Sequence, residues 1–505
     1  MHKHSLFSMF SKRLITAFTA AFTAAFTATF SATKKHRYYL QSTVLSFMLS
    51  MLYLSTAQAA EYKVETLDNG LTIITANVSY TPLLMLKVQF DAGAKTETKE
   101  TDGLTHLLEH LFMKGNGLAP NEVAYRKRER QLGIISNATT GRDYVDYHFI
   151  FPAMFLEETS ELAAASVFSL ALDPQEIKDE IRVVNDEFNR YALKPSFASN
   201  NVLNHLVYGN KYYGVTPLGM TKKYILEANR DKLKKLTDSI MAPANTRIYL
   251  VGNVDHDNAV KVIDKYFGHW KAPEGWQKPP YVEFPDFPST SKRMNFSHPR
   301  QTEAVANIRF DAFKVSENPE DSYVADVFST LLSHKGTPFY QKYIKTGEIY
   351  DGYMYYLTTS VAPYINMGIA AQANKIDQAI ENMFNEAKEW AKPDYFTQTQ
   401  LDEVKLKLSV EFKVKADDFL DLEGHLSYFT AAADINYYAG YLKGMQSVTL
   451  EDLSRYIQKY VIDKPHTMVV LYNAEKAKEL KVNLDGDAYF AKHLKAHLEY
   501  SLDNK

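Results

Sequence analysis

The chain contains no cysteine. Disulfides and thiolate metal sites are thereby excluded, so any zinc centre has to be built from histidine and carboxylates. An excess of one charge is missing too: 57 Lys and Arg stand against 60 Asp and Glu, a formal net charge of −3. With no basic patch carrying interleaved aromatics, the chain has no attraction for nucleic acid or for an anionic membrane. Nothing after Ala60 approaches the run of about 20 apolar residues that spans a bilayer. Histidine is scarce, 15 in 505, which makes a cluster of it informative.

The first sixty residues differ from the rest. Lys34-Lys-His-Arg37 is a positive segment, Val44–Leu54 a short apolar one, and Ala57-Gln58-Ala59 an A-x-A cleavage site. A low-complexity repeat, Ala17-Phe-Thr-Ala through Ala28, precedes them. Residues 1–59 are expected to be a leader peptide. Export to a bacterial periplasm, with no membrane span in the mature form, agrees with the lack of cysteine.

The remaining length, about 445 residues, exceeds one typical core and suggests two domains. Residues 231–253 and 451–473 both run from an acidic start through an amphipathic helix and a proline into a strand, 220 residues apart. Between them, residues 271–288 carry five prolines and read as an extended linker. Strands are expected at Tyr62–Leu67, Leu71–Ala76, Leu84–Phe90, Ile134–Thr139 and Tyr144–Phe151. The second half repeats the style at Ala304–Phe313, Tyr350–Thr358 and Tyr364–Ala371. Helices fall between, so the fold class is α+β: two similar sandwich-like domains, each a mostly antiparallel sheet packed with helices. The expected boundaries are 60–270, a linker over 271–292, a second domain over 293–485 and a C-terminal tail over 486–505.

One run stands out, Gly103-Leu-Thr-His-Leu-Leu-Glu-His-Leu-Phe-Met-Lys-Gly115. Its core is H-x-x-E-H, a zinc-peptidase pattern in inverted order. His106 and His110 are one helical turn apart and can grip one metal ion, with Glu109 on the same face as a base. Leu104, Leu107, Leu108 and Leu111 share the opposite arc, so the leucines face a core. Asp102 is the expected N-cap and Gly115 the expected stop.

Two histidines leave a catalytic zinc site incomplete, since three protein ligands plus water are the rule. The helix Glu176–Arg190 offers candidates. Ile177, Ile181, Val184 and Phe188 form its apolar arc, and Glu180 and Glu187 lie within that arc, two turns apart. Carboxylates on a buried face are costly unless paired or metal-bound. From the residues alone, ordinary buried salt bridges and metal ligation both remain open.

At this point the chain resembles the pitrilysin/insulinase family of zinc metallopeptidases. That family's pattern is H-x-x-E-H with a glutamate ligand 77 residues after the second histidine, and Glu187 stands 77 residues after His110. A further family glutamate, seven residues earlier, corresponds to Glu180. Asn137-Ala-Thr-Thr-Gly-Arg-Asp-Tyr144 resembles the family's block on the edge strand beside the site. The resemblance implies one zinc per chain held by His106, His110 and Glu187. It implies Glu109 as the proton-transferring base, assisted by Glu180, and Asn137, Ala138 and Thr139 as a strand that holds peptide substrate. Family members of this length pair with a like or a related chain, so a homodimer or heterodimer is expected.

The second half carries no H-x-x-E-H, and its His334 reads as a loop residue. In the family this half supplies an Arg and a Tyr to substrate. Tyr350 fits that Tyr, but Lys345 stands where Arg is expected, at shorter spacing, and a lysine offers no bidentate fork. The family's double glycine before the edge strand is reduced to Gly133. The expected function is that of a zinc metalloendopeptidase acting on peptides or unfolded segments in the periplasm. The alternative is a non-catalytic scaffold or regulatory subunit of a peptidase heterodimer.

Overall fold

A β-hairpin is the first element among the described residues, turned by Asp68-Asn-Gly70 with Gly70 at φ 92°. In this computed structural model, which describes residues 62–219 and 221–499, the hairpin strands are β1 (Tyr62–Thr66) and β2 (Thr72–Asn77). β3 (Leu83–Phe90), β4 (Ile135–Thr140), β5 (Val145–Pro152) and β6 (Thr246–Gly252) complete the first sheet, in the order β1-β2-β6-β3-β5-β4. Last in sequence, β6 inserts between β2 and β3, parallel to the one and antiparallel to the other. β4 lies at the edge and, among the described residues, pairs only with β5.

The second sheet comprises β7 (Lys292–His298), β8 (Ala304–Asp311), β9 (Asp351–Tyr356), β10 (Tyr364–Ala371) and β11 (His466–Asn473). Its order is β7-β11-β8-β10-β9, and β11 is again the late strand, parallel to β7 and antiparallel to β8. With β1 set aside, the two sheets share one topology. The similarity of residues 231–253 and 451–473 is therefore a repeat of place as well as of pattern: each segment supplies the strand that joins the sheet's two parts.

The helices of the first half are α1 (Leu104–Leu111), α2 (Glu122–Leu132), α3 (Leu156–Phe168), α4 (Pro174–Ala192), α5 (Pro195–Tyr208), α6 (Lys222–Leu226), α7 (Arg230–Ile240) and α8 (His256–Phe267). Leu104, Leu107, Leu108 and Leu111 of α1 are fully buried in one core with Val88, Phe90, Phe149 and Ile248 of the sheet. Each such leucine contributes about 1.5–3 kcal/mol by leaving water. Phe112, just past α1, stacks on Tyr147 of β5. The second half adds α9 (Pro319–Leu332), α10 (Ile376–Trp390), α11 (Gln398–Asp417), α12 (Phe419–Ala432), α13 (Ile435–Ser447), α14 (Leu450–Tyr460), α15 (Ala474–Glu479) and α16 (Asp485–His493). A separate core gathers there around Phe328, Trp390 and Tyr456.

The halves exchange helices. α5, from the first half, buries Val202, Leu203 and Leu206 against Phe296, Val469 and Leu471 of the second sheet. α12, from the second half, packs on β3 and β6 of the first. There Lys87 reaches Glu423 (2.8 Å), Asp146 (3.6 Å) and the Ser427 hydroxyl (3.0 Å) in a buried cluster.

Three sequence expectations need adjustment. Asp102 does not cap α1: its Oδ2 accepts Thr221 N–H (3.0 Å), and Gly103, at φ 80°, takes the N-cap position. The proline-rich stretch is extended but docked, because Val282 N–H donates to Lys95 O (2.7 Å) and the Trp276 indole donates to Ser239 O (2.8 Å). The expected tail from 486 opens within α16, held to β7 where Asp485 accepts Asn295 N–H and Asp487 accepts Ser297 N–H (2.8 and 2.9 Å). No helix among the described residues is long and apolar enough to cross a membrane. The leader segment, residues 1–59, lies outside the described residues.

Candidate metal centre

α1 is short, so its position decides where two histidines point. Its first turn is fixed by Glu97, a buried carboxylate from the preceding loop. Glu97 Oε2 accepts Gly103 N–H (2.9 Å) and Oε1 accepts Thr105 N–H (3.0 Å). Two of the helix's otherwise unpaired N–H groups are thus satisfied by one carboxyl, which burial and the neighbouring Asp102 push up to about 8. Gly103 also admits close neighbours: a Cβ there would lie 2.9 Å from the Ile225 side chain.

α4 is set by Asp173, whose carboxylate accepts Gln175 and Glu176 N–H, and by Pro174 at its first position. Ile177, Val184 and Phe188 are buried as expected, with Ile181 at the margin. Glu180 is 5 % exposed and Glu187 half-buried, while Val183 faces water.

The two helices bring His106, His110 and Glu187 together, with ligand atoms all within 4.8 Å of one another. Glu187 Oε2 lies 3.7 Å from His106 Nε2 and 3.5 Å from His110 Nε2. Ligands about 2.0–2.1 Å from a tetrahedral zinc stand about 3.3 Å apart, so the two Glu187 contacts are close to the spacing that ion requires. Burial and the neighbouring His110 push the His106 imidazole down to about 3, which leaves it neutral, the form that ligates.

Glu180 stands behind the triad. Its Oε2 lies 3.0 Å from His110 Nδ1 and its Oε1 lies 2.8 Å from Lys114 Nζ. Lys114 in turn meets Glu122 of α2 (3.0 Å). Burial acts to raise the Glu180 carboxyl, but His110 and Lys114 outweigh it and hold it below its ordinary value. Such a carboxylate fixes the imidazole tautomer and aims Nε2 at the metal position.

Glu109 lies on the same face of α1 and accepts the hydroxyl of Thr140 at the end of β4. Burial pushes its carboxyl above the ordinary glutamate value, against the pull of Thr140 and His110. The centre therefore pairs three convergent donors with a poised carboxylate at the end of a sheet-edge strand.

Asn137, Ala138 and Thr139 lie on that edge strand. Asn137 and Thr139 are exposed and Ala138 partly so. Their outward backbone groups are available to an added strand. Tyr350 sits at the start of β9, the edge of the second sheet, 42 % exposed, with its N–H on Ala370 O (2.7 Å). Lys345 is exposed and donates to Gln341 (2.9 Å). His334 pairs with Glu403 (3.1 Å) and joins no metal cluster among the described residues. Sequence reasoning missed Glu97, Lys114 and Thr140. Lys114 follows His110 by four residues and so shares its face, a usable signal; the contacts of Glu97 and Thr140 form only on folding.

Residues 72–218 match the family model described as Insulinase (Peptidase family M16), and residues 227–408 match the one described as Peptidase M16 inactive domain. The zinc protease PqqE of Helicobacter pylori is 24% identical over 443 residues, covering 85% of this chain and 97% of that protein. The uncharacterized zinc protease YmxG of Bacillus subtilis is 29% identical over 223 residues, 43% of this chain and 53% of its own, so the match spans about half of that relative. Among solved structures, a protease from Helicobacter pylori superposes with a TM-score of 0.73 at 21% identity, covering 82% of this chain and all of that one (100%). The periplasmic protease PqqL from Escherichia coli gives 0.69 at 16% identity, covering 88% of this chain and 51% of that one. The fold class, two α+β halves, is shared with them.

Proposed function

Because the chain belongs to the insulinase (M16) family of peptidases, we propose that it is a zinc metalloendopeptidase cleaving peptides or unfolded protein segments. The observation that carries this reading is the convergence of His106, His110 and Glu187 within 4.8 Å, with Glu109 beside them on α1. His106 and His110 would hold the ion through Nε2 and Glu187 through Oε2. When bound, zinc supplies an acidified water and a polarised scissile carbonyl. Glu109 would act as the base toward the attacking water and as the acid toward the leaving amine, and burial, which raises its carboxyl above the ordinary glutamate value, suits a group that both takes and gives a proton. Thr140 steadies Glu109, and Glu180 steadies His110. The β4 edge takes the substrate backbone through Asn137, Ala138 and Thr139, a mode that reads main chain before side chains.

In this reading the first half is the catalytic domain and the second half, without the motif, a non-catalytic one that Tyr350 ties to substrate. A periplasmic location is proposed from the leader-like residues 1–59 and from the periplasmic description of the PqqL neighbour. Glu109→Gln should keep zinc and lose cleavage of an unstructured peptide mixture by about 10²–10⁴-fold. Full activity in that variant would remove Glu109 from the mechanism.

A further inference from the structure

Two arginines from different halves converge on the Tyr364 ring, without a carboxylate partner among the described residues. Arg142 follows Thr140, at the end of the edge strand, by two residues, so its Cα is at most about 7 Å from that of the residue that touches Glu109. Its Nη1 donates to Ala362 O (2.9 Å), and its guanidinium carbon stands 5.9 Å from the centre of the Tyr364 ring. Arg309, on β8, lies over the same ring at 4.1 Å. It is 5 % exposed and donates Nη1 to Asn204, and its Nε has no hydrogen-bond partner among the described residues.

Neither guanidinium forms an ion pair among the described residues; Asp311, two residues further along β8, pairs with neither. Burying a cation without a counterion is costly, and Arg309 is buried and Arg142 half-buried beside the same ring. Burial acts to push the Tyr364 phenol up, yet Arg309, Arg142 and a hydrogen bond with Tyr355 together bring it below its ordinary value. The loop that carries Arg142 is held rigidly. Asp143 accepts the Thr359 hydroxyl (2.7 Å) and both the N–H (3.1 Å) and the hydroxyl (2.6 Å) of Ser360. Tyr355, 38 % exposed beside Tyr364, forms an open rim.

We propose that Arg142 and Arg309 form a carboxylate-binding subsite that selects peptides with an acidic side chain or a free C-terminal carboxylate within about three residues of the cleaved bond. The inference rests on the peptidase reading above. A peptide laid along β4 passes Glu109 at Thr140 and continues toward residues 141–142. Three extended residues cover about 10 Å, enough to bring a carboxylate to the Arg pair. A guanidinium fork suits a carboxylate, and a charge-assisted bond in a partly dry site discriminates strongly against the neutral isostere.

The test starts from a neutral peptide that the zinc-loaded protein cleaves. It is resynthesised with Glu or Gln at each of three positions on either side of the cut, and with an acid or an amide at its C terminus. The wild-type protein should favour one carboxylate form by about tenfold or more in kcat/KM. Whether the Glu/Gln arm or the acid/amide arm responds identifies the source of the carboxylate. In Arg309→Met that ratio should fall to near one, and Arg309→Lys should retain part of it. Both peptides are assayed on the same sample, so the ratio is insensitive to the fraction folded; if Arg309→Met fails to fold, Arg142→Met gives the same reading. A wild-type ratio near one, or an unchanged ratio in the soluble variant, overturns the subsite and leaves the arginines as staples between the halves. Absence of any cleavage by zinc-loaded protein overturns the peptidase reading instead.

Discussion

Glu180 Oε2 lies 3.0 Å from His110 Nδ1, on the side of the ring opposite the metal position. In the proposed zinc site this contact would fix which nitrogen of His110 is left to ligate. Carboxylates in this position typically govern metal affinity by 10–100-fold. Glu180→Gln should therefore weaken zinc binding by about that factor in a competition titration against a chelator, with excess zinc restoring part of the cleavage. Unchanged affinity would show that α1 packing alone orients the ring.

Thr140 couples the edge strand to Glu109 through its hydroxyl. Thr140→Val keeps the shape and removes the donor. We expect kcat to fall by about tenfold, with zinc content unchanged and KM little altered, because the bond steadies the base and not the substrate. A change confined to KM would instead place Thr140 among the groups that hold the peptide.

The seam between the halves contains a buried charge cluster in which Lys87 meets Glu423 at 2.8 Å and Asp146 at 3.6 Å. Removing one partner of a buried pair strands the other. Glu423→Ala should cost about 3 kcal/mol in urea unfolding, while breaking an isolated surface pair such as Lys265–Glu157 should leave the unfolding midpoint almost unchanged. Equal effects at the two sites would mean that water reaches the seam.

Asp326 accepts the Tyr441 hydroxyl, and burial pushes its carboxyl up to about 6. The unfolded chain titrates near 3.8, so between these values the native state binds the extra proton. Stability from this group is full below about pH 4 and is lost as pH rises through 6, by an amount on the order of 3 kcal/mol. Asp326→Asn should flatten that slope in thermal melts between pH 4 and 7. An unaltered slope would assign it to other groups.

Much of this was legible in the sequence because it is local. The leucine spacing of α1 places its buried face, and the aliphatic arc of α4 singles out Glu180 and Glu187. β10 occupies the expected span, Tyr364–Ala371, because its alternation and flanking turns are strong. What escaped was contributed from a distance. Asp102 looked like a cap, yet it is engaged by Thr221 N–H, 119 residues away, and Glu97 takes its place from across a 3-10 turn. The insertion of β6 between β2 and β3 pairs segments far apart in the chain. The exchange of α5 and α12 escaped for the same reason: an apolar helix face states that it will be buried, but not against which sheet.

The central claim is that one zinc is held by His106, His110 and Glu187. Elemental analysis of the zinc-loaded, extensively dialysed protein, alongside Glu187→Gln, tests it most directly. The account predicts about one zinc per chain in the unaltered protein and a large loss in the variant, with its circular dichroism preserved. A chain that retains no zinc, or a variant that retains it as tightly as the original, would contradict the account.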